Sequence, residues 1–154
     1  MEIASAFATA RFAVRPAQIE DAHAIAEVQV ASWRSSYRGI LPDVILDGMS
    51  ARLRVPARQG MLRDAAACNL VAYDTTHGDI VGFANASPSR RGGPRVGALF
   101  EIYLLDRAKR YGLGRELFDL VVVWSRAKQH ARLDVWVLEG NQHARRFYAA
   151  MGGR

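Results

Sequence analysis

Arg11-Phe-Ala-Val-Arg15 alternates polar and apolar residues, the period of a half-buried strand, and Pro16 ends it. Glu20 and Asp21 then suit a helix N-terminus, where carboxylates meet the positive end of the helix dipole. Ala22, Ile25, Ala26, Val30 and Trp33 recur at helical spacing and predict one buried face. Ser32 to Pro42 leads out of that helix through Gly39 and Pro42. A shorter helical region is predicted over about 43–62, interrupted near Ser50 and again at Pro56. Asn69–Tyr73 and Ile80–Ala84 are apolar runs flanking Asp-Thr-Thr-His-Gly-Asp, the signal of a hairpin. Ser87 to Arg95 is a basic, glycine-rich loop, and Val96–Leu105 reads as a central strand. From Gly112, the residues Leu113, Leu117, Leu120, Val121 and Trp124 form the stripe of a helix packed on a sheet and closing near Lys128. Leu133–Leu138 predicts another strand, and Asn141 caps a last helix that runs to Gly152. The order is therefore β, α, α, β, β, β, α, β, α. Hairpins precede a single strand–helix–strand crossover, so the class is α+β or mixed α/β.

Composition narrows the function. The 154 residues fit one domain spanning 1–154, with half the residues apolar. Residues 1–10 lack the basic and long apolar regions of a signal peptide and read as a frayed start. No apolar run approaches the roughly 20 residues that cross a bilayer. The single cysteine, Cys68, fits a reducing cytoplasm. A net charge of +6 points to an anionic partner. The positive charges are scattered, with small clusters at Arg90, Arg91 and Arg95 and at Arg107, Lys109 and Arg110. No basic stripe is interleaved with aromatics, so a phosphorylated cofactor is favoured over nucleic acid. The histidines show no metal-ligand spacing.

The stretch from Glu101 to Arg115 passes from strand through a basic loop to a glycine-opened helix. The first N–H groups of a helix have no internal partner and carry partial positive charge, which suits an anion. Gly112 and Gly114 leave the main chain open to close approach, and Lys109, Arg110 and Arg115 add full charges. Taken alone, Gly-x-Gly is equally a plain strand-to-helix turn. A dinucleotide fingerprint is the rival, with Asp134 about 20 residues downstream for a ribose. Its third glycine would fall at Leu117, however, and a P-loop fails because no Gly-Lys-Ser/Thr follows.

A second segment, Leu133 to Gly153, joins a strand to an Asn-capped helix carrying Phe147-Tyr148 before the terminating glycines. Together with Lys109-Arg-Tyr-Gly112-Leu-Gly114, it resembles the GNAT superfamily of acetyl-CoA-dependent N-acetyltransferases, whose phosphate motif is Gln/Arg-x-x-Gly-x-Gly/Ala. Lysine stands here at the first motif position, and the resemblance runs from Arg11 through nearly the whole chain. It implies a mostly antiparallel sheet flanked by helices, and acetyl-CoA as co-substrate without a metal. Ile102, Tyr103 and Leu104 would hold the pantetheine arm through their backbone. The amides of Lys109, Arg110, Tyr111, Gly112, Leu113, Gly114 and Arg115 would hold the pyrophosphate. Asn141 would touch the cofactor, and Tyr148 would bind it and protonate the leaving sulfur. Ser32 to Pro42 is similar to the stretch bordering the acceptor pocket in one branch, so Trp33 and Tyr37 are implied substrate contacts, with Arg34 and Arg38 solvated.

The base is implied to be Glu101, with Asp134 or water as substitutes. The acceptor would be a small-molecule primary amine attacked in a ternary complex. A protein N-terminus or lysine, or a non-catalytic acyl-CoA-binding module, are the alternatives. A polycationic acceptor would need a local acidic pocket, for which Glu27, Asp43, Asp47 and Glu101 are available. Family members continue past the Phe-Tyr helix with a further strand or two. The resemblance thus implies that the sheet stops short, truncated there or completed by a partner copy in a homodimer.

Overall fold

The computed structural model describes residues 10–154, so the reading of the first ten residues lies, Ala10 apart, outside the described residues. Strand β1 (Phe12–Pro16) leads through a 3-10 turn at Ile19–Asp21 into helix α1 (Ala22–Tyr37). Helices α2 (Asp43–Asp47) and α3 (Ala51–Arg63) follow, then strands β2 (Cys68–Asp74), β3 (Ile80–Pro88) and β4 (Val96–Leu104). Another 3-10 turn, Asp106–Ala108, precedes helix α4 (Leu113–Ala127), strand β5 (Arg132–Val135) and helix α5 (Gln142–Ala150).

The strands form one sheet in the order β1-β2-β3-β4-β5. The first three pairings are antiparallel, and β4 with β5 is parallel across the α4 crossover. The fold is mixed α+β, as the pattern predicts. Helices cover both faces, which is why β2 and β3 are apolar almost without alternation. On one face, Ile25 and Val28 of α1 pack with Val71, Phe83 and, from α3, Leu62. On the other, Leu113, Leu117 and Val121 of α4 pack on Leu70, Ala72, Ala84 and Leu99, with Tyr148 of α5 at the margin. A third cluster joins Val30 and Tyr37 to Leu46 and Met49 at the outer end of α1.

Four local expectations are corrected. Pro56 lies inside α3 without interrupting it. Its missing N–H strands only the Arg52 carbonyl, and both residues are exposed, so water can serve that group. The other predicted interruption, near Ser50, is where Gly48, Met49 and Ser50 part α2 from α3. Leu120, expected in the buried stripe of α4, is 39 % exposed, and Ser125 is buried in addition to the predicted positions. Arg34 is not simply solvated: it donates to the Leu46 carbonyl at 3.0 Å and the Met49 carbonyl at 2.9 Å, closing the C-terminal end of α2. The predicted strand over Leu133–Leu138 stops at Val135, and that shortening creates the site.

Candidate active site

The β4–β5 ladder runs from Val96 opposite Arg132 to Leu99 opposite Val135, with one more bond from the Trp136 N–H to the Leu99 carbonyl at 3.1 Å. At that point β4 carries a bulge. Leu99 faces Ala86 and Glu101 faces Asn85 on β3, so Phe100 is the extra residue. A bulge bends and twists its strand. Beyond it β4 stays with β3 while the chain after β5 turns away, and a cavity of about 690 Å³ opens between them. Phe100 to Leu104 wall one side, Trp136 and Val137 the other. The N-terminus of α4, the face of α5 and the end of α1 complete it.

The loop into α4 closes one end. Arg110 (φ 68°) and Gly112 (φ 80°) both adopt the left-handed conformation, which turns the chain sharply into the helix. The first backbone bond of α4 runs from the Glu116 N–H to the Gly112 carbonyl at 3.0 Å. The N–H groups of Leu113, Gly114 and Arg115 therefore find no backbone acceptor among the described residues, and all three residues line the cavity. A side chain at Gly114 would meet Phe147 of α5 at 3.3 Å, so glycine here lets the two helices close on each other. Lys109 pairs with Asp106 at 2.9 Å, and this ammonium holds the Asp106 carboxyl below its ordinary range, with the Ser35 hydroxyl assisting. The Tyr111 ring does not face the cavity. It stacks edge-on against Phe12 at 4.9 Å, and its hydroxyl accepts from Arg11 at 2.9 Å, tying the loop to β1.

Asn141 accepts the Ala144 N–H at 3.0 Å, the predicted cap, and its amide reaches the Tyr37 hydroxyl at 3.5 Å. Asn141, Ala144 and Tyr148 share one face of α5, and all three line the cavity. Burial raises the Tyr148 phenol above its ordinary value, with the nearby Tyr37 adding to the effect. On the opposite wall the Tyr37 and Tyr103 hydroxyls lie 3.2 Å apart. Burial, the bond to Tyr37 and the charge of Glu101 push Tyr103 upward as well.

Glu101 lines the cavity with its carboxylate gripped from behind. The Arg58 guanidinium donates to both oxygens, at 2.5 and 2.8 Å, and to Gln29 at 3.2 Å, and it lies 4.7 Å over the Phe83 ring. Arg58 is only 4 % exposed. Such a buried pair persists because the fork geometry and further hydrogen bonds offset its desolvation.

The structure thus brings together Glu101, Ile102, Tyr103, Leu104, Lys109, Arg110, Gly112, Leu113, Gly114, Arg115, Asn141, Tyr148 and Tyr37 around one cavity. Two expectations fail. Trp33 does not line it; one turn before Tyr37, it packs edge-on against that ring at 4.8 Å and into the cluster of Val30 and Leu46. Asp134 lies within the β4–β5 ladder opposite Ala98 and pairs with Arg132 at 2.7 Å, away from the cavity. Nor do the other acids gather there: Glu27 pairs with His23, and Asp43 and Asp47 with Arg38. Sequence reasoning missed Arg58 and Gln29, whose helices carry no pattern marking a buried ion pair. It also missed Phe100 and Trp136, although they lie within the predicted strands Val96–Leu105 and Leu133–Leu138. Among the described residues no cluster could hold a metal ion, and no helix is long and apolar enough to cross a membrane.

A family model described as the acetyltransferase (GNAT) family matches residues 27–152. YuaI of Bacillus subtilis (strain 168), an uncharacterized N-acetyltransferase, is 30 % identical over 129 residues, which cover 83 % of this chain and 72 % of YuaI. The PaiA N-acetyltransferase from Thermoplasma acidophilum, solved with coenzyme A, superposes with a TM-score of 0.77 at 18 % identity, over 92 % of this chain and 89 % of that one. A ribosomal-protein-alanine N-acetyltransferase from Brucella melitensis biovar Abortus 2308 gives 0.63 at 20 % identity, over 91 % and 90 %.

Proposed function

Because the chain belongs to the GNAT family of acetyltransferases, we propose that it moves the acetyl group of acetyl-CoA onto a small-molecule primary amine by direct attack in a ternary complex. The observation that carries this reading is convergence. The unpartnered N–H groups opening α4 and the Tyr148–Asn141 face of α5 border one cavity, at the point where β4 and β5 part. The residues present fit coenzyme A. Free helix amides and the charges of Arg110 and Arg115 suit a pyrophosphate, and the edge of β4 beyond the bulge, from Ile102 to Leu104, suits an amide-bearing arm. When bound, the cofactor supplies an activated thioester.

Each residue then has a defined task. The amine nitrogen bonds to the acetyl carbon as the carbon–sulfur bond breaks, so one proton leaves nitrogen and one reaches sulfur. Tyr148 donates the second. Its raised pKa keeps the phenol protonated and ready, while its orientation on α5 compensates for modest acidity. Glu101, the acid lining the cavity, accepts an N–H from the amine and orients its lone pair. Both Glu101 oxygens are already engaged by Arg58, so the released proton passes through water to solvent. Tyr37, anchored by Tyr103 and Asn141, borders the acceptor side.

The test is thiol release from acetyl-CoA across a panel of amines, with Tyr148→Phe alongside. Amine-dependent release that the variant lowers while retaining coenzyme A binding supports the assignment. Failure to bind coenzyme A alongside binding of NAD(H) would overturn it.

A further inference from the structure

We propose that the acceptor carries an anionic oxygen group, a carboxylate or phosphate, which Arg90 and Arg91 bind; this names the substrate class of the site just described and rests on that reading. The cavity does not end at Glu101. Past Phe100 and Trp136, which line both spaces, a second cavity of about 350 Å³ opens over Ala98 of β4. Its far wall is Ser89, Arg90 and Arg91, from the loop joining β3 to β4.

The acid beside the floor of this cavity, Asp134 opposite Ala98, is paired with Arg132. No acidic residue lines the second cavity, and neither arginine forms an ion pair among the described residues. The acid at the junction, Glu101, is already neutralised by Arg58. Each extra ammonium on a polycationic acceptor would thus meet uncompensated positive charge, whereas an anion meets two planar donor forks shaped for carboxylate or phosphate oxygens.

The loop is also anchored. The Ser89 N–H donates to the Val96 carbonyl at 2.8 Å, and the Ser89 hydroxyl accepts from the Gly92 N–H at 2.9 Å and the Arg91 N–H at 3.3 Å. A side chain at Gly92 would come within 2.7 Å of Val96, so the turn sits directly on the strand. Phe100 and Trp136, 41 % and 52 % exposed, give the shared wall an apolar surface. An acceptor with its amine at Glu101 and its anion at the arginines would lay an apolar or aromatic spacer across them.

The experiment compares kcat/KM, at low salt, for primary amines with a short apolar spacer in three matched forms: carboxylate, its uncharged primary amide, and a phosphate monoester. The expected result is that a charged form exceeds the amide by about tenfold or more, the size one good charged contact gives. The Arg90→Gln/Arg91→Gln double variant, on an exposed loop, should bring that ratio toward unity. The phosphate-to-carboxylate ratio tells which anion fits. Equal rates for amide and charged forms, or a polyamine as the best acceptor, would overturn the proposal. If no amine at all releases thiol, the acetyl-transfer reading fails instead. Equilibrium binding of the same three compounds to the coenzyme A-loaded protein then decides the inference: a preference for the anions, lost in the double variant, keeps it, and its absence overturns it.

Discussion

Tyr148 and Glu101 face the same cavity but are set in opposite ways. Burial raises the phenol's pKa, while the buried Arg58 guanidinium grips both carboxylate oxygens. Replacing Tyr148 with Phe removes only the hydroxyl, so kcat should fall by about 10²- to 10⁴-fold, the usual worth of a positioned acid. Coenzyme A affinity, measured by calorimetry, should change little. Because the Tyr148 pKa is raised, its ionisation should cause no alkaline loss of activity below about pH 10, by which an ordinary phenol is already half ionised. A decline below that pH in the wild type that disappears in Tyr148→Phe would contradict the assignment. Arg58→Met tests the other wall. It leaves Glu101 partly buried without a partner, which should cost about 3–5 kcal/mol in urea unfolding. The Arg58→Met/Glu101→Gln double variant should regain part of that loss, since the stranded charge is gone. A single variant as stable as wild type would mean the pair is loosely held.

At the scale of elements, legibility followed periodicity. α1, α4, the β2–β3 hairpin and β4 were readable because each buries a repeating stripe. The Asn141 cap was readable because its donor lies three residues away. The end of β5 was not readable: Trp136-Val-Leu138 is as strand-like as Leu133–Val135, and only the Phe100 bulge on a neighbouring strand separates the two. Pro56 misled for the converse reason, since a local rule yields where the affected carbonyl is exposed and the helix is packed. Arg58, 29 residues from Gln29 and 43 from Glu101, could be found only once α3 was packed beside α1. One inter-element tie is open to measurement. Arg15 of β1 grips Asp21 before α1 at 2.8 and 3.0 Å, and Asp21 also accepts the Gln18 N–H at 2.7 Å. The Arg15 hydrogen bonds lower the Asp21 pKa. Its contribution is therefore full above the unfolded value near 3.9 and fades as pH falls through the lower folded value. With Arg15 partly exposed, Asp21→Asn should cost only about 0.5–1 kcal/mol at pH 7. The gap from wild type should close on acidification; a gap that widens toward low pH would mean the pair is not what holds the two elements.

Across the whole molecule, the cavity lies between two parts joined by the four rungs of β4 and β5, the bond from the Trp136 N–H to Leu99 and the contact of Asn141 with Tyr37. One is β1 to β4 with α1 to α3; the other is β5 with α5, and α4 spans the gap. A ligand seated between them contacts both and has no equivalent in the unfolded chain, so coenzyme A should stabilise the fold by mass action. At a hundredfold excess over Kd that amounts to about 2.7 kcal/mol. For a chain of this length each kcal/mol moves Tm by about 2–4 °C, so the melting point should rise by roughly 5–10 °C. Gly112 sharpens the test. Its left-handed φ of 80° would strain any side chain, although the space around it is open. Gly112→Ala should destabilise the unliganded protein by about 1–2 kcal/mol, lowering its Tm by about 2–8 °C, and also shrink the shift, because the amides that follow it are displaced. NAD(H) at the same concentration should produce no comparable shift. Equal shifts with both ligands, or a full coenzyme A shift in Gly112→Ala, would mean that the turn into α4 is not where the phosphates sit.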